Sequence, residues 1–185
     1  MRQAIQAAAV AVVLTVVSGT GAAAQNKSGG GFREGSTDIG PVVGLGGIGS
    51  AGLSFGGRFE KAIKRLPNLG DGILALQLSA DYYSYSNNIG TAGYDFKYIP
   101  IGATANYHIK VNNTKFDPFV GAGLGYLVVS SSFNGTGYSN GSGIYFVGRA
   151  GLRYYMANGI ALYGDVGAGA ATLNAGVMFR MAGNK

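Results

Sequence analysis

The feature that most constrains the fold is an alternation of apolar with small or polar residues along most of the chain. In 171–181, one parity holds Ala, Leu, Ala, Val, Phe and Met, and the other includes Thr172, Asn174 and Arg180. Successive side chains of a strand point to opposite faces, so this segment predicts a two-faced strand. Its length suits the edge of a soluble sheet, and it also matches the roughly 9–11 residues that a tilted strand needs to cross a bilayer. The partner strands decide between the two.

Eight segments of this kind follow one another. They are 39–47, 52–63, 72–85, 94–109, 116–131, 143–156, 160–169 and 171–181. The tail of the second segment, 59–66, also has helical spacing, which leaves a short helix before Pro67 open. Asn158-Gly159 predicts a tight hairpin between the sixth and seventh segments, because both residues tolerate positive φ.

Seven charged residues of the second, third, sixth, seventh and eighth segments fall on the polar, glycine-rich face. They are Arg58, Glu60, Asp81, Arg149, Arg153, Asp165 and Arg180. A soluble barrel has the reverse arrangement, apolar inside and charged outside, so the apolar face is predicted to meet lipid. In lipid every backbone polar group must be paired, so the sheet must close. We therefore predict an all-β fold, an eight-stranded antiparallel up-and-down transmembrane β-barrel with paired charges in its lumen.

Composition agrees with a membrane barrel and excludes several kinds of site. Charged residues make up 12% of the chain and hydrophobic residues 47%, whereas a soluble domain usually carries about twice that charge. The absence of cysteine excludes disulfides and thiol-ligated metals, and the single histidine, His108, excludes a cluster of imidazoles around a metal. The net charge of +6 comes from basic residues that are scattered singly, so no nucleic-acid groove is expected.

The chain is predicted to divide into four parts. Residues 1–24 have Arg2, a short apolar run and Ala22-Ala23-Ala24, which predict a signal peptide cleaved before Gln25. Residues 25–37 are rich in Gly and Ser and predict a flexible leader. The barrel is expected over 38–181, with a tail at 182–185.

Neither of the two motifs that suggest chemistry has its full context. The stretch 44–49 satisfies G-x-G-x-x-G, but an alternating strand follows it instead of the helix that a nucleotide site needs. His108 would need a serine nucleophile within hydrogen-bond reach to act in a hydrolase, and no serine motif is predicted near it. We therefore predict no catalytic residue, cofactor or metal.

Parts of the chain resemble the small eight-stranded outer-membrane barrels of Gram-negative-type bacteria, the OmpA-like, OmpX-like and opacity-type group. The resemblance is carried by 119–126 (Phe-Val-Gly-Ala-Gly-Leu-Gly-Tyr) and 148–154 (Gly-Arg-Ala-Gly-Leu-Arg-Tyr). In addition, Asn174, Gly176, Phe179 and Met181 resemble the C-terminal motif by which the barrel-assembly machinery recognises its substrates, although that family commonly ends on an aromatic residue. The resemblance implies assembly by that machinery into the bacterial outer membrane.

We expect a non-enzymatic protein of the cell envelope that contacts outer-membrane lipid and lipopolysaccharide. Its polar loops, 86–93 and 132–142, would face the cell surface and could meet a ligand there. A narrow porin-like channel for small solutes is the second hypothesis. A lipid A-modifying hydrolase that uses His108 is the third, because some barrels that resemble this chain act on lipid A.

Overall fold

The structure is a computed structural model that describes residues 31–47, 52–89, 92–133, 136–138, 141–157 and 159–181. The predicted signal peptide and tail, and Asn158 of the predicted hairpin, lie outside these residues. The strands are β1 (Thr37–Leu45), β2 (Leu53–Leu66), β3 (Gly72–Ile89), β4 (Ala92–His108), β5 (Phe116–Phe133), β6 (Thr136–Tyr138), β7 (Gly143–Ala157), β8 (Ile160–Ala168) and β9 (Leu173–Met181), and a 3₁₀ helix spans Pro67–Leu69. The described residues contain no helix that is long and apolar enough to span a membrane.

The sheet closes on itself. Neighbouring strands pair antiparallel in chain order, β5 pairs with both β4 and β7, and β1 pairs with β9 to complete the ring. The short strand β6 pairs with the end of β5 and lies outside the ring. Eight strands therefore form a closed up-and-down barrel, which confirms the predicted fold.

The two faces of each strand differ as the alternation predicted. Every strand of the ring has outward apolar side chains that are at least 37% exposed, for example Val43, Phe59, Leu78, Ile101, Leu124, Leu152, Val166 and Leu173. Charged side chains on the outward face of the described strands lie near strand ends, at Lys61 and Lys64 of β2 and at Asp95 and Lys97 of β4. A continuous exposed apolar band of this size marks contact with another apolar phase.

The barrel wall is tall on one side and short on the other. Strands β3, β4 and β5 have 18, 17 and 18 residues, whereas β1, β8 and β9 have nine each. The predicted loops 86–93 and 132–142 were wrong in part, because the strands β3, β4 and β5 continue into them and β6 lies within the second. Their Ser and Asn residues indicate a solvated surface, but they do not prevent backbone pairing.

Two boundary predictions also differ from the structure. Strand β2 continues to Leu66 with an irregular register between Ala62 and Lys64, so the helical alternative for 59–66 is wrong. Strand β9 begins at Leu173, and Ala171 is buried against Tyr83 instead of continuing the outward apolar row.

The described part of the predicted leader, residues 31–36, packs against the barrel. The amide of Gly35 donates to the carbonyl of Ala62, and the amide of Ala62 donates to the carbonyl of Ser36. These bonds extend the β1–β2 pairing by one step and bring Phe32 to the lumen. We call this end, where β1 begins and β9 ends, the termini end, and the opposite end the far end.

Candidate functional site

The candidate site is the lumen, where buried polar side chains form two networks. The termini-end network is centred on Glu60 of β2, whose side chain is fully buried. Gln77 Nε2 and Asn106 Nδ2 each donate to it at 2.9 Å, and Arg153 and His108 form ion pairs with it. Four donors from β3, β4 and β7 therefore converge on one carboxylate.

Asp38 is the second centre of the termini-end network. Its carboxylate pairs with Arg153 at 3.0 Å and with Arg180 at 3.1 Å. The hydroxyl of Tyr155 donates to Asp38 at 2.9 Å and accepts from Arg180 at 2.8 Å. These contacts tie β1 to β7 and β9, so the network crosses the barrel.

His108 lies between two carboxylates in the same network. Its Nε2 is 2.8 Å from Glu60 Oε1, and its Nδ1 is 2.8 Å from Asp117 Oδ1. Carboxylate oxygens accept hydrogen bonds, so the ring is held between two acceptors. Five carboxylates face four arginines in the described lumen. The carboxylates are Asp38, Glu60, Asp81, Asp117 and Asp165, and the arginines are Arg58, Arg149, Arg153 and Arg180.

The far-end network consists of two ion pairs joined by an amide. Arg58 pairs with Asp81 at 2.9 Å, and Arg149 pairs with Asp165 at 2.7 Å. Asn174 links the pairs, because its oxygen accepts from Arg58 at 3.1 Å and its nitrogen donates to Asp165 at 2.8 Å. Two cations thus balance two anions within this network.

A small cavity lies in the lumen beside the far-end network. Its volume is about 10 Å³, and it is lined by residues of the far-end network together with Gln77, Thr104 and Tyr145. Such a volume is at the lower limit for one water molecule. Glycines of β5 allow this packing, because a Cβ on Gly121 would overlap Asn106 and one on Gly125 would overlap the ring of Tyr145.

Phe32 covers the termini-end network. Its ring stacks on His108 with centroids 4.2 Å apart, and the guanidinium of Arg153 lies 4.8 Å from its centroid. Arg180 holds the same segment by donating to the carbonyl of Gly31 at 2.8 Å. An apolar ring over a charged cluster excludes water from it, which strengthens the ion pairs beneath.

An aromatic cluster lies on the lumen side of the far end. Tyr83 is fully buried and packs with Tyr85, Tyr98 and Tyr145. Phe96 stacks along Tyr98 with centroids 6.2 Å apart. These rings therefore lie in the lumen above the far-end network.

The structure brings all seven predicted charged residues to the inner side of the barrel, in two separate groups. Sequence reasoning missed Asp38 and Asp117 and did not include His108 in the network. Asp38 lies in β1 but precedes the glycine-rich segment predicted at 39–47, and Asp117 stands before the clear alternation of β5 begins. The alternation could have indicated both residues. Asp38 falls on the same face of its strand as Gly40 and Val42, and Asp117 falls on the same face as the alternating glycines of β5.

The residues of the predicted assembly motif lie on both faces of β9. Asn174 belongs to the far-end network, and Gly176 faces inward against Pro41 and Val42. Phe179 lies on the outward face with Met181, which is 48% exposed. Asn174 therefore has a packing role whether or not it is part of a recognition motif.

Outside the lumen, a charged cluster lies on the rim of the termini end. Asp71 accepts from Lys110 and from Arg65, each at 2.7 Å. These hydrogen bonds, first from Lys110 and then from Arg65, lower the pKa of the Asp71 carboxyl below its ordinary value. Among the described residues, no group of three or more His, Cys, Asp or Glu side chains has a geometry that could hold a metal ion.

Comparisons with known proteins bear on the fold alone. A scan against family models and a search of curated proteins find no match.

Several solved structures are similar to this chain. The outer membrane protein OprG from Pseudomonas aeruginosa has a TM-score of 0.54 at 12% identity, with 82% of this chain and 98% of that chain covered. The N-terminal β-barrel domain of Pseudomonas aeruginosa OprF has a TM-score of 0.51 at 17% identity, covering 80% and 98%. Ail, the attachment invasion locus protein of Yersinia pestis, has a TM-score of 0.50 at 15% identity, covering 80% and 96%. The chain has the fold of the small eight-stranded outer-membrane β-barrels.

Proposed function

We propose that the chain is a non-enzymatic, integral outer-membrane protein with a closed lumen, which contributes to the cell envelope and makes contacts at the cell surface. The observation that carries this proposal is the arrangement of the barrel wall. Its outward face is an apolar band free of charge along the middle of the described strands, and its inward face holds the paired charges. Water would oppose that arrangement, whereas a bilayer requires it.

Export and assembly follow from the same proposal. The signal peptide predicted at 1–24 would direct the chain out of the cytoplasm, and the motif at Asn174, Gly176, Phe179 and Met181 would be recognised by the barrel-assembly machinery. The termini end would then face the periplasm, as is usual for barrels that start and finish on that side. The far end would face the cell surface, and the apolar band would contact phospholipid and lipopolysaccharide.

The tall wall of β3, β4 and β5 supports the surface role. The ends of these strands would stand above the bilayer and expose Ser84, Asp95, Lys97 and Ser130. The predicted surface segments 86–93 and 132–142 include these strand ends, so a surface ligand would meet paired backbone over much of their length. Paired strands lose less conformational entropy on binding than a free loop does.

Two observations argue against the alternative functions. A channel needs a continuous path, but two networks and the ring of Phe32 lie across the lumen, and the described cavity beside the far-end network measures about 10 Å³. A hydrolase needs a histidine that is free to take a proton from serine, but both nitrogens of His108 face carboxylates. His108 is therefore assigned to the network.

Cell fractionation tests the proposal most directly. The full chain, expressed in a Gram-negative host, should be recovered with the outer membrane and should migrate differently on gels before and after heating. Recovery in the soluble periplasm without a heat-dependent shift would overturn it. In planar bilayers the purified barrel should give no steady single-channel steps, and regular steps would instead support the channel.

A further inference from the structure

The net positive charge of the described chain lies at one end of the barrel. The lumen charges pair among themselves, and the far end exposes one acidic and one basic side chain, Asp95 and Lys97. The rim of the termini end exposes six basic side chains against the carboxylates of Glu34 and Asp71. These six, Arg33, Lys61, Lys64, Arg65, Lys110 and Lys115, are called here the basic patch.

The basic patch occupies one side of the rim. Its members come from the leader, from β2 and from the turn between β4 and β5, so they lie around the ends of four neighbouring strands of the ring. The described rim residues of β7, β8 and β9 beyond Arg180 carry no charge. A local concentration of one sign attracts ligands of the opposite sign.

The irregular register of β2 adds one lysine to the outward face. Glu60 and Ala62 point into the lumen, so an unbroken alternation would turn Lys64 inward as well. The register shift between Ala62 and Lys64 instead pairs Lys64 with Leu74, which lies on the outward side of β3. Lys64 therefore lies with Lys61 on the outward face, at the border of the apolar band nearest the termini end.

The height of the patch fits the headgroup layer of a membrane. Lys61 is two residues from Phe59 on the outward face, and Lys115 precedes Phe116, whose ring packs against Tyr154 with centroids 5.1 Å apart. Aromatic rings at the border of an apolar band mark the interface of a bilayer. Lysine side chains at this level extend their ammonium groups to the headgroups while their methylenes remain in apolar surroundings.

A groove in the patch has room for a headgroup. It has a volume of about 490 Å³ and is lined by Arg33, Glu34, Arg65, Asp71 and Lys110 together with Phe32 and Ile73. Arg65 and Lys110 share the carboxylate of Asp71, and with Arg33 and Glu34 the lining holds three basic and two acidic side chains, a surplus of one positive charge. A phosphodiester would supply the missing negative charge and accept hydrogen bonds from both cations.

We propose that the basic patch binds the phosphodiester headgroups of anionic phospholipids, such as phosphatidylglycerol, in the leaflet around the termini end. This inference rests on the proposed function, because it needs the barrel to lie in a bilayer. The patch would hold these lipids against β2 to β5 and fix the depth at which the barrel sits.

Lipid competition tests the proposal. The full barrel, folded in detergent with equal amounts of phosphatidylglycerol and phosphatidylcholine, should retain phosphatidylglycerol in excess when its bound lipids are measured by native mass spectrometry. Lys64→Gln should lower the preference about fivefold, as expected for one basic residue near an anionic surface. The combined substitution of Lys61, Lys64, Lys110 and Lys115 by Gln should abolish it.

Lys97→Gln is the matched control, because it removes the same charge at the far end and should leave the preference unchanged. An equal loss in Lys97→Gln, or an unchanged preference in the fourfold variant, would overturn the proposal. Abolition of the preference by millimolar inorganic phosphate would assign the patch to free phosphate and also overturn it. The heat-dependent gel shift shows whether each variant is folded.

Two outcomes separate this inference from the proposed function. A barrel that folds into vesicles without a lipid preference refutes this inference alone, whereas a barrel that enters no bilayer refutes the proposed function.

Discussion

The two halves of the lumen solve the same problem of buried charge in different ways. At the termini end, Glu60 and Asp38 collect donors from strands on several sides of the barrel, and His108 lies between Glu60 and Asp117. At the far end, each arginine pairs with a carboxylate on the neighbouring strand, and Asn174 joins the two pairs. The first network depends on the closed ring, whereas the second depends mainly on adjacent strands. The termini end should therefore be the less tolerant half.

The strongest test of this difference is Glu60→Gln. The substitution keeps the shape but removes the charge, so Arg153 loses one ionic partner and His108 loses a carboxylate acceptor in a fully buried place. Removing one partner of a buried ion pair typically costs about 3–5 kcal/mol. Urea unfolding in lipid vesicles should show a loss of that size in the free energy of unfolding.

The matched change in the other half is Asp81→Asn, with a smaller expected effect. Arg58 keeps its bonds to Asn174 at 3.1 Å and to the carbonyl of Gly57 at 3.0 Å. We expect a loss of about 1–3 kcal/mol, the usual cost of leaving one buried polar group poorly satisfied. If Asp81→Asn costs as much as Glu60→Gln in the same assay, the proposed difference between the halves is wrong.

A third change, Phe32→Ala, tests the cover over the termini-end network. It removes the ring that stacks on His108 and contacts the guanidinium of Arg153, and a cation–π contact of this kind contributes about 0.5–2 kcal/mol. Amide hydrogen exchange at the ends of β4 and β5 should become faster because water reaches the network. Phe146→Ala, on the outward apolar face at the far end, is the control that should leave exchange at the termini end unchanged. Equal acceleration in both variants would contradict a covering role for Phe32.

Sequence reasoning identified the barrel because two features can be read from the two-residue period of a strand. These are the alternation itself and the face of each strand that carries the charged residues. The placement of Arg58 and Asp81 in the lumen needed only the strand period. Strand lengths in the tall wall were underestimated, since polar composition at 86–93 indicates exposure to water and does not distinguish a loop from a paired strand.

The pairing partners within the lumen could not be predicted in the same way. Arg153 bonds to Glu60 and Asp38, which are 93 and 115 residues away in the chain. Such contacts depend on the stagger of the strands and on the closure of the ring, which place distant strands opposite one another. The sequence showed that Arg153 is charged and faces the lumen. It did not show which carboxylates lie at the same level along the barrel axis on the opposite strands.

The smallest expected effect concerns the rim of the termini end, where the charges face water. Hydrogen bonds from Lys110 and Arg65 lower the pKa of Asp71 in the folded protein, so this carboxylate stabilises the fold most at pH values above its unfolded-state pKa of about 3.9. The contribution is lost as the pH falls from there through the lower folded-state pKa. The difference in unfolding free energy between the wild type and Asp71→Asn should therefore be constant from pH 7 to about pH 5 and should shrink below the unfolded-state pKa. High salt should reduce this difference, because exposed ion pairs are screened, while the cost of Glu60→Gln should change little. A difference that grows with acidity would contradict the assigned direction of the Asp71 shift.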